Sequence, residues 1–310
     1  MITVLCSFRK RWLRAWAALA GMLLVVPLGC LAADPADDTL LKLAQTGRIT
    51  LGVRDHLPPT LYRNAQGESV GYQMDICKRV VDAIKQRFDL PGLKVVTVTS
   101  TFATRFALLN NGTTDLDCGP NPINAAGLRQ ALFTHADLLS ETRVMGRADN
   151  TGLSFASLQG KTVATVAGNT VTPLLRAHLR KSSIQINEVF GRHADEVFAM
   201  LEAGRVDAVL LNEPYLLTMR AASATPERYV LLEGALRTEP IAMMVRLQDE
   251  KLLALINEVV ASMMRSGEME RLYNRWFVEP PPGQRVGLNM PLPPALRALF
   301  ARPGSEMLEF

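Results

Sequence analysis

Cysteine and histidine are both scarce in this chain of 310 residues, and their scarcity removes whole classes of function. The four cysteines include no CxxC pair, too few and too scattered for a thiolate metal cluster. The four histidines, His56, His135, His178 and His193, stand alone and lack metal-ligand spacing. G-x-S-x-G, G-x-G-x-x-G and H-E-x-x-H are absent. Gly160-Lys161-Thr162 resembles the end of a phosphate loop, but the earlier glycine such a loop needs falls at Phe155. Nothing in these motifs requires catalysis, a cofactor or a metal.

A long bilayer-spanning run is missing too. Arg9, Lys10, Arg11 and Arg14 precede an apolar stretch from Ala15 to Leu31, short for a membrane span and followed at once by Asp34, Asp37 and Asp38. With small residues at Ala32-Ala33, residues 1–33 read as a secretory signal peptide. An uncleaved anchor is the alternative. A third is a lipoprotein anchor at Cys30, because Leu28-Gly29-Cys30 matches the end of a lipobox, although Pro27 stands where an aliphatic residue is usual. Each reading takes the chain out of the cytosol.

Large charge of one sign also disappears with the leader. It holds four of the 34 Lys/Arg and none of the 30 Asp/Glu, so the formal +4 falls to about zero. No basic cluster of nucleic-acid size remains, so nucleic acid is not an expected partner. Cys77 and Cys118 stay in the mature chain, where they either pair in an oxidising compartment or serve as small buried apolar residues.

What the chain does have is a repeat. Phe106-Ala107-Leu108-Leu109-Asn110-Asn111-Gly112-Thr113-Thr114-Asp115 recurs, 92 residues on, as Phe198-Ala199-Met200-Leu201-Glu202-Ala203-Gly204-Arg205-Val206-Asp207. Each copy reads as the end of an amphipathic helix, a Gly past its C-terminus and a strand starting near Asp. Strands are expected at Ile49 to Val53, Leu93 to Thr99, Gly160 to Val166, Ile184 to Phe190, Ala208 to Leu211 and Ile241 to Val245. Helices are expected at Gly71 to Phe88, after Thr170, and from Leu252 to Met264 with a break at Ser266-Gly267. Gly119-Pro120-Asn121-Pro122 reads as a turn. Alternating strands and helices, occurring in duplicate, predict an α/β protein of two lobes around a cleft.

From about Leu40 to Pro303 the chain resembles the polar amino-acid substrate-binding proteins of bacterial ABC importers (solute-binding protein family 3), closest to the glutamate/aspartate-binding branch. The segments that carry this are Gly71-Tyr72-Gln73-Met74-Asp75, Leu108-Leu109-Asn110-Asn111-Gly112, Asp117-Cys118-Gly119, Leu158-Gln159-Gly160-Lys161 and Ser266-Gly267-Glu268 with Arg275-Trp276-Phe277. Leu288-Asn289-Met290 and Leu299-Phe300 are specific to that branch. The resemblance implies a two-lobed periplasmic-binding-protein fold (type II). Each lobe would be a mostly parallel sheet flanked by helices, and a two-stranded hinge would join them. Lobe 1 would comprise residues 34–145 and 241–310, and lobe 2 residues 146–240. It implies a monomer without cofactor that captures an acidic amino acid or related carboxylate in the periplasm and delivers it to the membrane permease subunits of an ABC transporter.

Such a site needs a guanidinium and helix N-terminal N–H groups for a carboxylate, and an anion for an ammonium. The resemblance implies Arg54, at the end of the first strand, facing the ligand's side chain. It implies Arg105 before Asn111-Gly112, Thr170 in the carboxylate-binding turn, and His193 near the cleft histidine. Other partners are replaced. Pro120 and Pro122 stand where Ser/Thr hydroxyls are usual, and Gly127 takes the place of the α-carboxylate arginine, with Arg129 two residues on. Asn212 replaces the aspartate that takes the α-ammonium, with Glu213 beside it. Two other readings share this fold: a periplasmic dehydratase of the cyclohexadienyl type using Glu213 as acid, and a ligand-sensing partner of a membrane receptor.

Overall fold

The structure, a computed structural model, describes residues 39–149, 154–280 and 288–304. The leader expected over residues 1–33, with Cys30, lies outside them. Helix α1 (Thr39–Thr46) leads into β1 (Arg48–Val53), and β2 (His56–Leu57), β3 (Leu61–Arg63) and β4 (Ser69–Val70) form a small antiparallel sheet. Then come α2 (Tyr72–Arg87), β5 (Lys94–Thr99), α3 (Arg105–Asn110), β6 (Leu116–Pro122), α4 (Ala125–Leu128), β7 (Leu132–Phe133) and β8 (Leu138–Arg147). The next elements are β9 (Thr162–Val166), α5 (Val171–Ser182), β10 (Asn187–Gly191), α6 (Ala194–Glu202), β11 (Ala208–Asn212), α7 (Glu213–Ala222) and β12 (Tyr229–Leu231). Strand β13 (Arg237–Val245) leads to α8 (Glu250–Arg265), α9 (Glu268–Tyr273) and α10 (Pro294–Ala301).

One sheet runs in the order β10-β9-β11-β8-β13-β6-β1-β5. At one end β1 lies parallel to β5 and β6; at the other β9 lies parallel to β10 and β11. Between them β8 and β13 cross antiparallel to each other. The parallel groups carry separate cores. Leu51, Ile76, Val80, Met243 and Phe277 belong to the first. In the second, Val209 and Leu211 pack on one face of the sheet, and Val144 and Leu210 on the other. In α2, helical spacing buries Met74, Ile76, Cys77, Val80, Val81 and Ile84 and leaves Lys78 and Arg87 exposed.

The repeat has a structural counterpart. Gly112 and Gly204 follow α3 and α6 at φ +75° and +69°, a conformation that side chains with a Cβ rarely adopt. The aspartates that follow are clipped in the same way. The Asp115 N–H donates to the Thr50 carbonyl while its carboxylate accepts from the Thr50 N–H, and Asp207 does the same with Thr162. Each clip ties the loop before β6 or β11 to the neighbouring parallel strand.

Cys77 of α2 and Cys118 of β6 form a disulfide with Cα atoms 5.9 Å apart, which settles the alternatives left open by sequence. Closing a loop of this length contributes about 4 kcal/mol on the chain-entropy account. Residues 119–122, expected as a turn, instead complete β6. The reason is parity. The Ile123 N–H donates to the Pro240 carbonyl of the β13 side, so the alternate residues Pro120 and Pro122 direct their missing donors to the other edge, where pairing with β1 has ended at Asp117.

Candidate functional site

The C-terminal end of β1 and the start of β6 bring Arg54 onto Asp117. The Arg54 Nη1 and Nη2 donate to the two carboxylate oxygens at 3.0 and 3.2 Å, and Nη2 also reaches the Asn121 side-chain oxygen at 3.1 Å. Ser100 accepts a further bond from Nη1. Both partners are buried. Glycine is needed beside them, since a Cβ at Gly119 would lie 2.7 Å from the Arg54 Cζ. Burial pushes the Asp117 carboxyl up, but the charge and hydrogen bonds of Arg54, helped by Asn121 and Arg105, bring it net below the usual carboxylate range. Arg54 is therefore already neutralised.

Arg105 is not. It opens α3, is buried, and donates to the Phe102 carbonyl, with its guanidinium over the rings of Phe106 and Phe102 at 4.6 and 5.6 Å. Its Nε has no partner, and among the described residues no carboxylate pairs with it. Burial, followed by repulsion from Arg54, pushes its pKa down to about 10, with Asp117 opposing. A desolvated cation without an anion is costly, so this position invites one.

The other side of the cleft is the turn Ala167-Gly168-Asn169-Thr170 leading into α5. Gly168 has φ +74°, and a Cβ there would lie 2.9 Å from the Ala103 backbone across the cleft. Thr170 precedes α5 but makes no side-chain capping bond, and its hydroxyl, the Thr172 hydroxyl and the Asn169 Nδ2 are buried without partners. Arg105, Pro122, Thr170 and Thr172 line a cleft cavity of about 620 Å³. A hollow of about 630 Å³ on the outside of α5 is as large, but none of its lining residues has a buried unpartnered side-chain atom.

His193 lies elsewhere. With Arg54, Ser100 and His56 it lines a smaller cavity of about 40 Å³, and Phe102 belongs to the walls of both cavities. Its ring stacks on His56 at 4.2 Å, and the His56 Nδ1 is 3.3 Å from Asp195. Asn212 ends β11, buried, with its Nδ2 unpartnered. Glu213 lies 3.5 Å from Arg143, which also holds Glu141, and lines neither cavity. Burial raises its pKa, with Arg143 opposing. Arg129 is exposed beyond α4 and is not brought to the cavity. The Gly127 position could not hold a larger side chain unless its neighbour moved, because a Cβ would lie 2.8 Å from the Phe133 ring. The Asp117–Asn121–Ser100 clamp on Arg54 escaped sequence reasoning; its one signal was Asp117 in Asp117-Cys118-Gly119.

A buried cation facing unpartnered hydroxyls and a helix N-terminus, across the cleft of two α/β lobes joined by crossing strands, defines a type II periplasmic-type ligand-binding protein. The family described as bacterial extracellular solute-binding proteins, family 3, matches residues 49–279. An L-glutamate/L-aspartate-binding protein of Pseudomonas aeruginosa is 32% identical over 293 residues, spanning 94% of this chain and 96% of that protein. A glutamate/aspartate import solute-binding protein of Escherichia coli K12 is 29% identical over 277 residues, spanning 89% and 92%. Among solved structures, a substrate-binding protein of a Streptococcus pneumoniae ABC uptake transporter, with bound histidine, aligns with a TM-score of 0.69 at 21% identity, covering 78% of this chain and 97% of that one. An ancestral amino acid-binding protein, described as a precursor of cyclohexadienyl dehydratase, aligns at 0.66 and 21% identity, covering 77% and 99%. The chain belongs to solute-binding protein family 3, within which its resemblance is to the glutamate/aspartate-binding branch. Among the described residues no helix is long and apolar enough to cross a membrane.

Proposed function

We propose that the mature protein works in the periplasm as the substrate-binding component of an ABC importer, capturing an acidic amino acid or related carboxylate and delivering it to the permease. The observation that carries this reading is Arg105, a buried guanidinium without a carboxylate partner among the described residues, sharing a cavity with the free hydroxyls of Thr170 and Thr172. A ligand carboxylate would neutralise Arg105 from one lobe and receive hydroxyl and N-terminal helix donors from the other, so binding would hold the lobes together. The names of the relatives, glutamate and aspartate binders, support an acidic amino acid. Glu213, the carboxylate that a dehydratase reading needs as its acid, is engaged by Arg143 outside the cavity, which favours binding over turnover.

The test is calorimetric titration of the mature protein, unfolded and refolded to strip carried-over ligand, with glutamate, aspartate, glutamine, succinate and glutarate. Arg105→Ala is expected to weaken the tightest of these by at least about 100-fold, since breaking a buried ion pair costs about 3–5 kcal/mol. The thermal midpoint of the ligand-free variant should stay level or rise, because an uncompensated buried cation has been removed. Undiminished affinity in Arg105→Ala would refute the assignment.

A further inference from the structure

One face of the crossing strands is more polar than a buried surface ordinarily is. Residues directly opposite each other in an antiparallel pair share a face, and so do alternate residues along a strand. Pro122, in the wall of the large cavity, lies opposite Ile241. Glu239 is two residues before Ile241 on the same face and lies opposite Ser140 of β8. Thr142, two further along β8, lies opposite Asn212. The face that carries Pro122 thus continues through Glu239, Ser140, Thr142 and Asn212.

These four side chains are 2%, 3%, 0% and 4% exposed, and each has an atom without a hydrogen-bond partner: Glu239 Oε2, Ser140 Oγ, Thr142 Oγ1 and Asn212 Nδ2. Buried polar atoms are rarely left in that condition, and four together on the face that carries Pro122 of the cavity wall point to a polar guest. Burial pushes the Glu239 carboxyl up to about 7, with Arg237 on its own strand opposing.

We propose that Glu239 is the anchor for an ammonium group of the ligand, so that the site selects a zwitterionic amino acid over a plain dicarboxylate of the same skeleton. An ammonium carries three donors and no acceptor; the Glu239 carboxylate supplies the opposing charge, and the Ser140 and Thr142 hydroxyls supply acceptors. Asn212 cannot supply that charge, and Glu213 is turned to Arg143. Glu239 therefore takes over the task from a different strand. This inference rests on the reading of Arg105 as the carboxylate anchor.

L-Glutamate and glutarate differ only in the α-ammonium, so their affinity ratio reads this subsite alone. By calorimetric titration the wild-type protein should bind glutamate at least tenfold more tightly than glutarate. Glu239→Gln, close in shape, should bring that ratio below twofold while leaving glutarate affinity within twofold of wild type. The ligand-free thermal midpoint of Glu239→Gln should not fall. A retained preference in Glu239→Gln, or an equal loss for both ligands, would overturn the role of Glu239. A wild-type protein that binds both ligands equally overturns it as well, while leaving the Arg105 reading intact. A wild-type protein that binds neither overturns both.

Discussion

Asp117→Asn should weaken the empty protein and make it depend on its ligand. The Asp117 carboxylate accepts from Arg54 twice, from the Asn121 Nδ2 at 2.9 Å, from the Gly119 N–H at 3.0 Å and from Ser100 at 3.2 Å. Asparagine keeps the shape and one acceptor but removes the charge, leaving Arg54 and Arg105 as two buried cations in one region. Removing one partner of a buried pair costs about 3–5 kcal/mol. For a chain of this size each kcal/mol moves the thermal midpoint by about 2–4 °C, so a fall of roughly 10 °C is expected. An anionic ligand would then meet two free guanidinium groups, and saturating glutamate should restore more of the midpoint in the variant than it adds to the wild type. Scanning calorimetry with and without glutamate checks both statements. A fall of less than about 2 °C would mean that the pair contributes little, and a variant that ligand fails to rescue would mean that Arg54 cannot reach the ligand.

A pH dependence follows from Asp137, fully buried, with Gln73 donating to one oxygen and the other unpartnered. Burial raises its pKa from 3.8 to about 8, with Gln73 opposing. The folded state therefore holds a proton that the unfolded chain releases, so stability is fullest below about 4 and declines towards 8 at up to about 1.4 kcal/mol per pH unit. Asp137→Asn should flatten that decline in urea unfolding measured across this range; an unchanged slope would show that Asp137 is not its source. Gly168→Ala places a methyl against the Ala103 backbone in a left-handed conformation that costs a non-glycine residue about 1–2 kcal/mol. It should weaken ligand binding at least tenfold in titration calorimetry while moving the ligand-free midpoint only a few degrees, and equal affinity would show that the contact is dispensable.

The helices were legible in the sequence because their periodicity is clean, as in α2 and in α8, whose apolar stripe includes Leu252, Leu255, Ile256 and Val260. The repeat announced the duplicate halves. Strand β8 was not legible, although its burial alternates, because its inward face includes Ser140 and Thr142 and so does not alternate in hydropathy. The prolines of β6 disguised another strand, since the edge to which a missing donor points is a tertiary fact. Arg54 and Arg105 were singled out through the family resemblance, at the end of a strand and the start of a helix. Whether each cation was spent on an internal carboxylate was not legible, because Asp117 lies 63 residues from Arg54 and sequence carries no distance between them. Glu239 had no local mark beyond a carboxylate before a proline.

The sheet is never interrupted between the lobes, and this constrains how the molecule can move. β8 and β13 are held in register from Arg237 opposite Thr142 to Ile241 opposite Leu138. A ladder of that kind resists sliding, because any slip would break every rung at once, yet it yields to torsion, which a sheet already contains. The crossing strands therefore behave as a torsion bar: the lobes can rotate about it but cannot shear past each other. A group bound against the middle of that bar, where Glu239 and Ser140 lie, sits close to the axis and travels little while the rims of the cleft sweep farthest.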